Sequence, residues 1–119
     1  MKKIALIVCA LFLSINVAFA LDNIIFKNDS NIALDHAKNA ATAANVAEVV
    51  HHAAAALEHT LTASISAKGI AKNHLNEAAK ELQKAIDQGR LGKYNSCISY
   101  SQAAVAHISA ANAVVESSH

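Results

Sequence analysis

The stretch that decides the fold runs from Val49 to Thr60 and reads V-V-H-H-A-A-A-A-L-E-H-T. Alanine and leucine head the helix-propensity order, so this segment predicts an α-helix that is largely buried. It also carries three histidines, and His52 and His59 stand seven residues apart. Seven residues make two helical turns, with a rise of about 10.5 Å and a drift of roughly 20°. The two imidazoles are therefore expected along one edge of the same helix.

The first twenty residues have the features of a secretory signal peptide. Lys2 and Lys3 precede an apolar run from Ile4 to Leu13, and Ala18-Phe19-Ala20 supplies an A-x-A cleavage site. The run is shorter than the about 20 apolar residues that a membrane span needs. We therefore expect cleavage after Ala20 and a periplasmic location. The predicted organisation is a signal peptide at 1–20, a flexible N-terminus at 21–28 and a folded domain at 29–119.

Removal of this segment would leave a nearly neutral chain with one cysteine. The formal net charge changes from +1 to −1 because Lys2 and Lys3 are lost. Such a chain lacks the basic face that nucleic-acid binding requires. Cys9 is lost as well, so Cys97 has no internal disulfide partner. We expect a monomer without membrane association, and a Cys97-linked dimer is the alternative.

The rest of the chain predicts four helices of similar length. Asn28 to Asn31 offer N-cap side chains for the first helix, and Asn45 marks a turn before the second. A single continuous helix through Asn45 is the alternative. Gly69 ends the second helix, and Gly89 and Gly92 bracket the turn before the fourth. With no proline and no alternating β-branched run, the short loops predict an all-α fold, an up-and-down antiparallel four-helix bundle. The predicted spans are 29–44, 46–66, 70–88 and 94–116.

Apolar residues at steps of three and four predict the core face of each helix. The clearest stripe, on the third helix, comprises Ala71, Leu75, Ala78, Leu82 and Ala85. The predicted stripe of the second helix comprises Val46, Val50, Ala53, Leu57, Leu61 and Ile65, and that of the fourth comprises Ile98, Val105, Ile108 and Val115. A core this rich in alanine lets helices approach closely but buries little area per residue, so we expect modest stability.

Five histidines border these stripes in a repeating relation. Four of them directly precede a predicted core residue, and the fifth follows one heptad after another, which makes a seven-residue internal repeat. His51 points about 100° away from its neighbour on the helix, and His119 lies outside the repeat. The five histidines of the repeat are His36, His52, His59, His74 and His107.

In these features the chain resembles the small His-rich periplasmic metal-binding proteins, four-helix bundles that bind divalent copper, nickel and zinc. The family repeat has the form x-H-A-x-x-A-x. The chain matches it as D-H-A-K-N-A-A at 35–41, H-H-A-A-A-A-L-E-H at 51–59, L-Q-K-A-I-D-Q-G-R-L-G-K at 82–93 and S-Q-A-A-V-A-H at 101–107. The resemblance covers nearly the whole chain after residue 20. It implies metal ligation by His36, His52, His59 and His107, with His74 and His51 as further candidates.

The sequence also departs from the family repeat. Glu81, Gln88, Lys93 and Tyr100 stand where the repeat has histidine. Fewer metal sites are therefore expected than the family implies.

The spacing of the histidines constrains any metal site. Neutral imidazole suits copper(II), nickel and zinc. No two histidines stand at i, i+4, the separation that would let one helix chelate an ion alone. A site must therefore take ligands from two helices or from two molecules. We expect copper(II) first, with nickel and zinc as alternatives, held with weak to moderate affinity.

Other functions have less support in the sequence. Glu48-Val49-Val50-His51 forms one E-x-x-H motif, but a di-iron bundle needs two copies and two further glutamates. No C-x-x-C-H motif is present for covalent haem. No acid or oxyanion arrangement accompanies Cys97, so we expect no enzyme. The competing function is a metal-independent periplasmic helical-bundle adaptor that binds a protein partner.

Overall fold

Four α-helices make up nearly all of the computed structural model, which describes residues 23–117. Helices that follow one another in sequence pack antiparallel, which confirms the predicted four-helix bundle. None of the helices in this range has both the length and the apolar character that crossing a membrane requires. The predicted signal peptide with its cleavage site, and His119, lie outside the described residues. The helices are α1 (23–41), α2 (Val46–Ser66), α3 (Gly69–Arg90) and α4 (Tyr94–Ser117).

The turn between α1 and α2 lies where the sequence predicted it. Asn45 has an extended backbone and caps α2, its Oδ1 accepting a hydrogen bond from Glu48 N at 2.9 Å. Tyr94, at the start of α4, donates its hydroxyl to Ala43 O at 2.7 Å and so ties a second helix to this turn. The prediction of two separate helices is confirmed.

The start predicted for α1 is wrong. We expected a flexible segment at 21–28 and a helix from 28–31, whereas residues 23–30 are already helical. Phe26 is only 4% exposed and lies seven residues before the buried Ala33. The apolar stripe of α1 therefore continues toward the N-terminus. Burial of Phe26 stabilises this part of the helix although the polar side chains that follow favour a cap.

The core face of α3 is the predicted one, but those of α2 and α4 are rotated toward smaller residues. All five predicted α3 residues are buried. Of the predicted α2 stripe only Ala53 is buried, and of the α4 stripe only Ile108. The buried residues are Val49, Ala53, Ala56, Thr60 and Ala63 on α2, and Cys97, Ser101, Ala104, Ile108 and Ala111 on α4.

The rotation has a packing cause. Most of the buried apolar residues are alanines, which lets the helix backbones come close together. Little room then remains at the centre, so larger side chains such as Leu57 and Val105 pack at the flanks of the core. Leu61 and Ile65, at the C-terminal end of α2, are 49% and 79% exposed. The sequence pattern predicted that Leu61 and Ile65 belong to the core, and this prediction is wrong.

Gly89 lies at a close contact between α2 and α3. It is buried within α3, and a Cβ placed on it would collide with Val50 Cγ2 of α2. Valine is restricted at χ1 in a helix, so this methyl group is not free to move aside. The two helices keep this separation only because residue 89 has no side chain.

We predict that Gly89→Ala lowers the free energy of unfolding. Overpacking costs about 1–3 kcal/mol, which outweighs the about 1 kcal/mol that alanine gains over glycine within a helix. Urea unfolding followed by circular dichroism would measure the change.

The matched control is the same substitution made together with Val50→Ala, which removes the colliding methyl group. In that background Gly89→Ala should be neutral or stabilising. If Gly89→Ala alone stabilises the protein, Gly89 does not set the distance between α2 and α3.

Candidate functional site

His36 on α1 and His52 on α2 face each other across the crevice between the two helices. Their Nδ1 atoms are 3.2 Å apart, and their ring centroids are 5.5 Å apart with an interplanar angle of 31°. Both side chains are half-buried. Each directly precedes a fully buried alanine, Ala37 or Ala53, so core packing of the alanines sets the positions of the imidazoles. We call these two residues the α1–α2 pair.

A second pair with nearly the same geometry lies between α3 and α4. The Nδ1 atoms of His74 and His107 are 3.3 Å apart, with centroids 5.6 Å apart and an interplanar angle of 37°. These histidines precede Leu75 and Ile108, both fully buried. His74, which the resemblance implied only as a further candidate ligand, is thus the partner of His107. We call these two residues the α3–α4 pair.

The separation within each pair suits two ligands of a single metal ion. Two nitrogens bound at about 2.0–2.1 Å lie about 2.9 Å apart at a right angle and about 3.4 Å apart at the tetrahedral angle. The observed 3.2 Å and 3.3 Å fall between these values. Without an ion, a neutral pair makes at most one N–H···N hydrogen bond between these two atoms. The geometry therefore accommodates either that hydrogen bond or a shared cation.

His59 lies beside the α1–α2 pair and contacts a carboxylate. Its Nδ1 is 2.8 Å from Asp29 Oδ1, and its ring lies parallel to that of His36 at a centroid distance of 6.2 Å. Asp29 was not among the predicted site residues. It stands seven residues before His36, and extending the heptad repeat to carboxylates would have identified it.

His51 and Glu48, which form the E-x-x-H motif, do not face each other as a site. His51 is exposed, and its ring meets His52 edge-on at 5.2 Å. Glu48 Oε2 accepts a hydrogen bond from Ala44 N at 3.4 Å within the α1–α2 turn. The carboxylate thus has a role in the turn, and a ligand role for His51 is the least supported by position.

Cys97 is buried and stands apart from the histidines. Its thiol donates to Tyr94 O at 3.0 Å, and burial raises its pKa. The thiol therefore stays protonated at neutral pH, whereas metal ligation and disulfide exchange require the thiolate. A disulfide with a second chain would require Cys97 to leave the core.

Each histidine pair supplies two protein ligands. Within residues 23–117, no three or more histidine, cysteine, aspartate or glutamate side chains are arranged to hold one ion. The remaining coordination positions would fall to water or to groups from solution. The ligand roles of all six histidines stay predictions, and four of these histidines are brought together in pairs.

The comparison with protein families is consistent with this geometry. Residues 1–111 match the family model described as "Small metal-binding protein". No curated protein matches the chain. The resemblance inferred from the histidine repeat is confirmed by the family match.

The surroundings of His36 favour its neutral form. Its pKa is lowered first by burial, and then by the neighbouring His52, His59 and His51, while Asp35 opposes the shift. Neutral imidazole is the form that binds metal. The lowered pKa keeps His36 in its metal-binding form to a lower pH than an ordinary histidine.

We predict that His36 makes the metal-free protein less stable in acid. Because its pKa is lower in the folded than in the unfolded chain, the unfolded chain takes up the proton first as pH falls. The stability present above about pH 6.5 is then lost progressively as pH falls toward the lower folded pKa. Urea unfolding in the presence of a chelator, at pH 7.5 and pH 5, would measure the loss.

The control is His36→Gln, which keeps much of the side-chain volume but does not titrate. The variant should lose less stability on acidification than the wild type. A wild type that loses no more than the variant would contradict the inferred direction of the shift.

Proposed function

This chain belongs to the small metal-binding protein family, and we propose that its two histidine pairs bind divalent transition-metal ions, which it buffers or scavenges in the periplasm. The family is one of binding proteins, and we propose no enzymatic activity. The observation that carries the proposal is the repeated contact between Nδ1 atoms, at 3.2 Å between α1 and α2 and 3.3 Å between α3 and α4.

The same contact between histidine Nδ1 atoms occurs twice, and a metal-binding function accounts for this repetition. One pair of half-buried histidines is an ordinary finding, because a neutral pair satisfies itself with one hydrogen bond. Here each of the four helices contributes one histidine to a pair, and each of these histidines precedes a buried core residue. Protonation of either ring would place a cation against its partner's ring. When both rings are neutral and both carry their proton on Nε2, the two Nδ1 lone pairs are available to a metal ion.

The donor type selects the class of metal. Imidazole nitrogen suits copper(II), nickel and zinc, and affinity for a given site rises to copper(II) in the divalent series. Calcium and magnesium prefer sets of oxygen ligands. Cys97 is buried and protonated, so a thiolate that would favour softer ions is missing from both pairs. We therefore propose that copper(II) is the ion bound most strongly, and that nickel and zinc bind more weakly.

The small number of protein ligands supports buffering or scavenging. Structural zinc sites are closed by four protein ligands, whereas sites with open positions exchange. Two histidines per site leave positions to water, so the bound ion should exchange readily. The periplasmic location rests on the signal-peptide features of residues 1–20.

A metal-independent adaptor that binds a protein partner is the competing function. Exposed aliphatic side chains favour it, among them Ile65 at 79% and Ile70 at 63% exposed on either side of the α2–α3 turn. Retention of the untagged chain, lacking residues 1–20, on a copper- or nickel-loaded resin distinguishes the two functions. An adaptor without metal ligation would pass through such a resin at neutral pH.

We predict that each pair can be removed separately. His36→Ala should weaken copper(II) binding at the α1–α2 pair and His74→Ala at the α3–α4 pair, and each substitution should leave the other pair intact. Because even outer-shell changes cost about 10–100-fold in affinity, loss of one of two ligands should weaken its pair at least tenfold. Copper(II) titration followed by native mass spectrometry would count the ions that remain.

The matched control for these substitutions is His51→Ala, which removes an exposed histidine from α2 and should change neither count nor affinity. Equal losses from His36→Ala and His51→Ala would show that binding reflects histidine content rather than the pairs.

We also predict a pH profile set by imidazole. Protons and metal compete for the same nitrogens, so affinity should be nearly full at pH 7.5 and fall steeply below about pH 6. A carboxylate site would hold its ion until about pH 4–5. Isothermal titration in two buffers of different ionisation enthalpy would count the protons released per ion. Copper(II) binding that is unchanged at pH 5 would contradict ligation by histidine.

A further inference from the structure

The two histidine pairs have different neighbours one heptad along their helices. Beside the α1–α2 pair, seven residues away on each helix, stand Asp29 and His59. One heptad from the α3–α4 pair stand Glu81, which follows His74, and Tyr100, which precedes His107. These two residues lie on the side toward the α3–α4 turn, whereas Asp29 and His59 lie on the side away from the α1–α2 turn. The carboxylates are similarly enclosed, with side chains 16% exposed for Asp29 and 17% for Glu81. The difference is an imidazole on α2 against a phenol on α4.

The contact of His59 with Asp29 decides which nitrogen of His59 is free. A carboxylate only accepts hydrogen bonds, so at 2.8 Å the Nδ1 of His59 carries the proton and donates it to Asp29 Oδ1. The lone pair of the neutral ring then resides on Nε2. A carboxylate that accepts a hydrogen bond from one ring nitrogen of a histidine fixes the tautomer of that ring, which leaves the other nitrogen free as a more basic metal ligand.

The position of His59 brings it within range of an ion at the α1–α2 pair. Two rings that share an ion through nitrogen have centroids about 4.5–6.4 Å apart, depending on the angle at the metal. The centroid of His59 is 6.2 Å from that of His36, and the centroid of His52 is 5.5 Å from it. Within residues 23–117 these three histidines are not arranged to hold one ion, so His59 would move toward the pair on binding while its Nδ1–H keeps the contact with Asp29.

We propose that Asp29 is a positioning residue that holds His59 in the Nδ1–H tautomer as a third ligand, which makes the α1–α2 pair the tighter of the two metal sites. This inference rests on the function proposed above. It assigns to Asp29 a role through His59, and it makes the two sites unequal.

The α3–α4 pair has neither a third histidine beside it nor a carboxylate that holds such a histidine. Tyr100 has no imidazole to offer, and Lys84 lies over its ring, with Nζ 5.5 Å from the centroid. The same Lys84 Nζ is 3.5 Å from Glu81 Oε1, so that carboxylate is engaged by a cation. The α3–α4 site therefore keeps two protein ligands.

The first experiment reads the tautomer without metal. Two-bond ¹H–¹⁵N correlation spectra at about pH 8, where imidazoles are neutral, distinguish Nδ1–H from Nε2–H rings. His59 should be Nδ1–H in the wild type and should lose this preference in Asp29→Ala. A wild-type His59 in the Nε2–H form would overturn the proposal irrespective of any metal measurement.

The second experiment measures copper(II) affinity at the α1–α2 site alone, in the full chain carrying His74→Ala and His107→Ala. Asp29→Ala should weaken copper(II) binding by about 10–100-fold. It should cause no further loss once His59→Ala is present, because Asp29 acts through His59. An undiminished affinity in Asp29→Ala, or an equal loss with and without His59, would overturn the proposal.

Two further variants separate positioning from charge and from stability. Asp35→Ala removes a carboxylate of the same helix, one residue before His36, and leaves the His59 contact untouched; it should not reproduce the loss. Asp29→Asn retains an oxygen that can accept from Nδ1–H, and its affinity should follow the tautomer found in its spectrum. A loss of affinity in Asp29→Asn with the Nδ1–H tautomer intact would contradict positioning.

The reciprocal substitution is Tyr100→His, made in the full chain that carries His36→Ala and His52→Ala. A third imidazole beside the α3–α4 pair should raise its copper(II) affinity, and an unchanged affinity would contradict the assignment of the difference to the third ring.

If the chain with an intact α1–α2 pair binds no copper(II), the proposed function fails together with this inference. If it binds copper(II) but ignores Asp29→Ala, only this inference fails.

Discussion

Close packing of helices through alanine is the constraint on which the rest of this structure depends. Alanine at the core positions lets neighbouring backbones approach, and Gly89 extends this to the contact between α2 and α3. Side chains that border the core then meet across the crevices without needing to reach far. His36 meets His52 in this way, with both rings anchored by the buried alanine that follows each of them. A core of large residues would move the helices apart and separate the imidazoles.

The same constraint explains how the fold and metal binding affect each other. An alanine-rich core buries little apolar area per residue, so each helix contributes modestly to stability. An ion held between α1 and α2, or between α3 and α4, joins two helices and binds the folded chain better than the unfolded one. Such binding adds to stability in proportion to the logarithm of metal concentration. Metal binding at the proposed sites would therefore stabilise the bundle.

The two helical hairpins, α1–α2 and α3–α4, each contain a histidine pair, but the residues beside the two pairs differ in chemistry. Both place a histidine pair at 3.2–3.3 Å and an enclosed carboxylate one heptad away, on the side away from the turn in the first hairpin and toward the turn in the second. In the first hairpin the carboxylate meets His59, and in the second it meets Lys84. A pair of sites with unequal ligand sets would fill at different metal concentrations, which broadens the range over which a small protein buffers an ion. The exposed aliphatic residues near the α2–α3 turn do not belong to either histidine pair.

The sequence by itself determined the number of helices, the turn between α1 and α2 and the histidines of the site, but not where α1 begins. Propensity and capping are local properties, so the limits of α2 and the turn at Asn45 followed from the residues there. The seven-residue recurrence likewise placed the histidines at the edge of the core. It did not determine how each helix is rotated, because the periodicity weighted Leu61 and Ile65 above the small residues that the crowded centre accepts. Nor did it determine which histidines meet, since His74 and His107 are 33 residues apart and their distance depends on how α3 packs against α4. The role of Asp29 is of the same kind: its contact with His59 spans 30 residues, and only the packing of α1 on α2 brings the carboxylate to the imidazole.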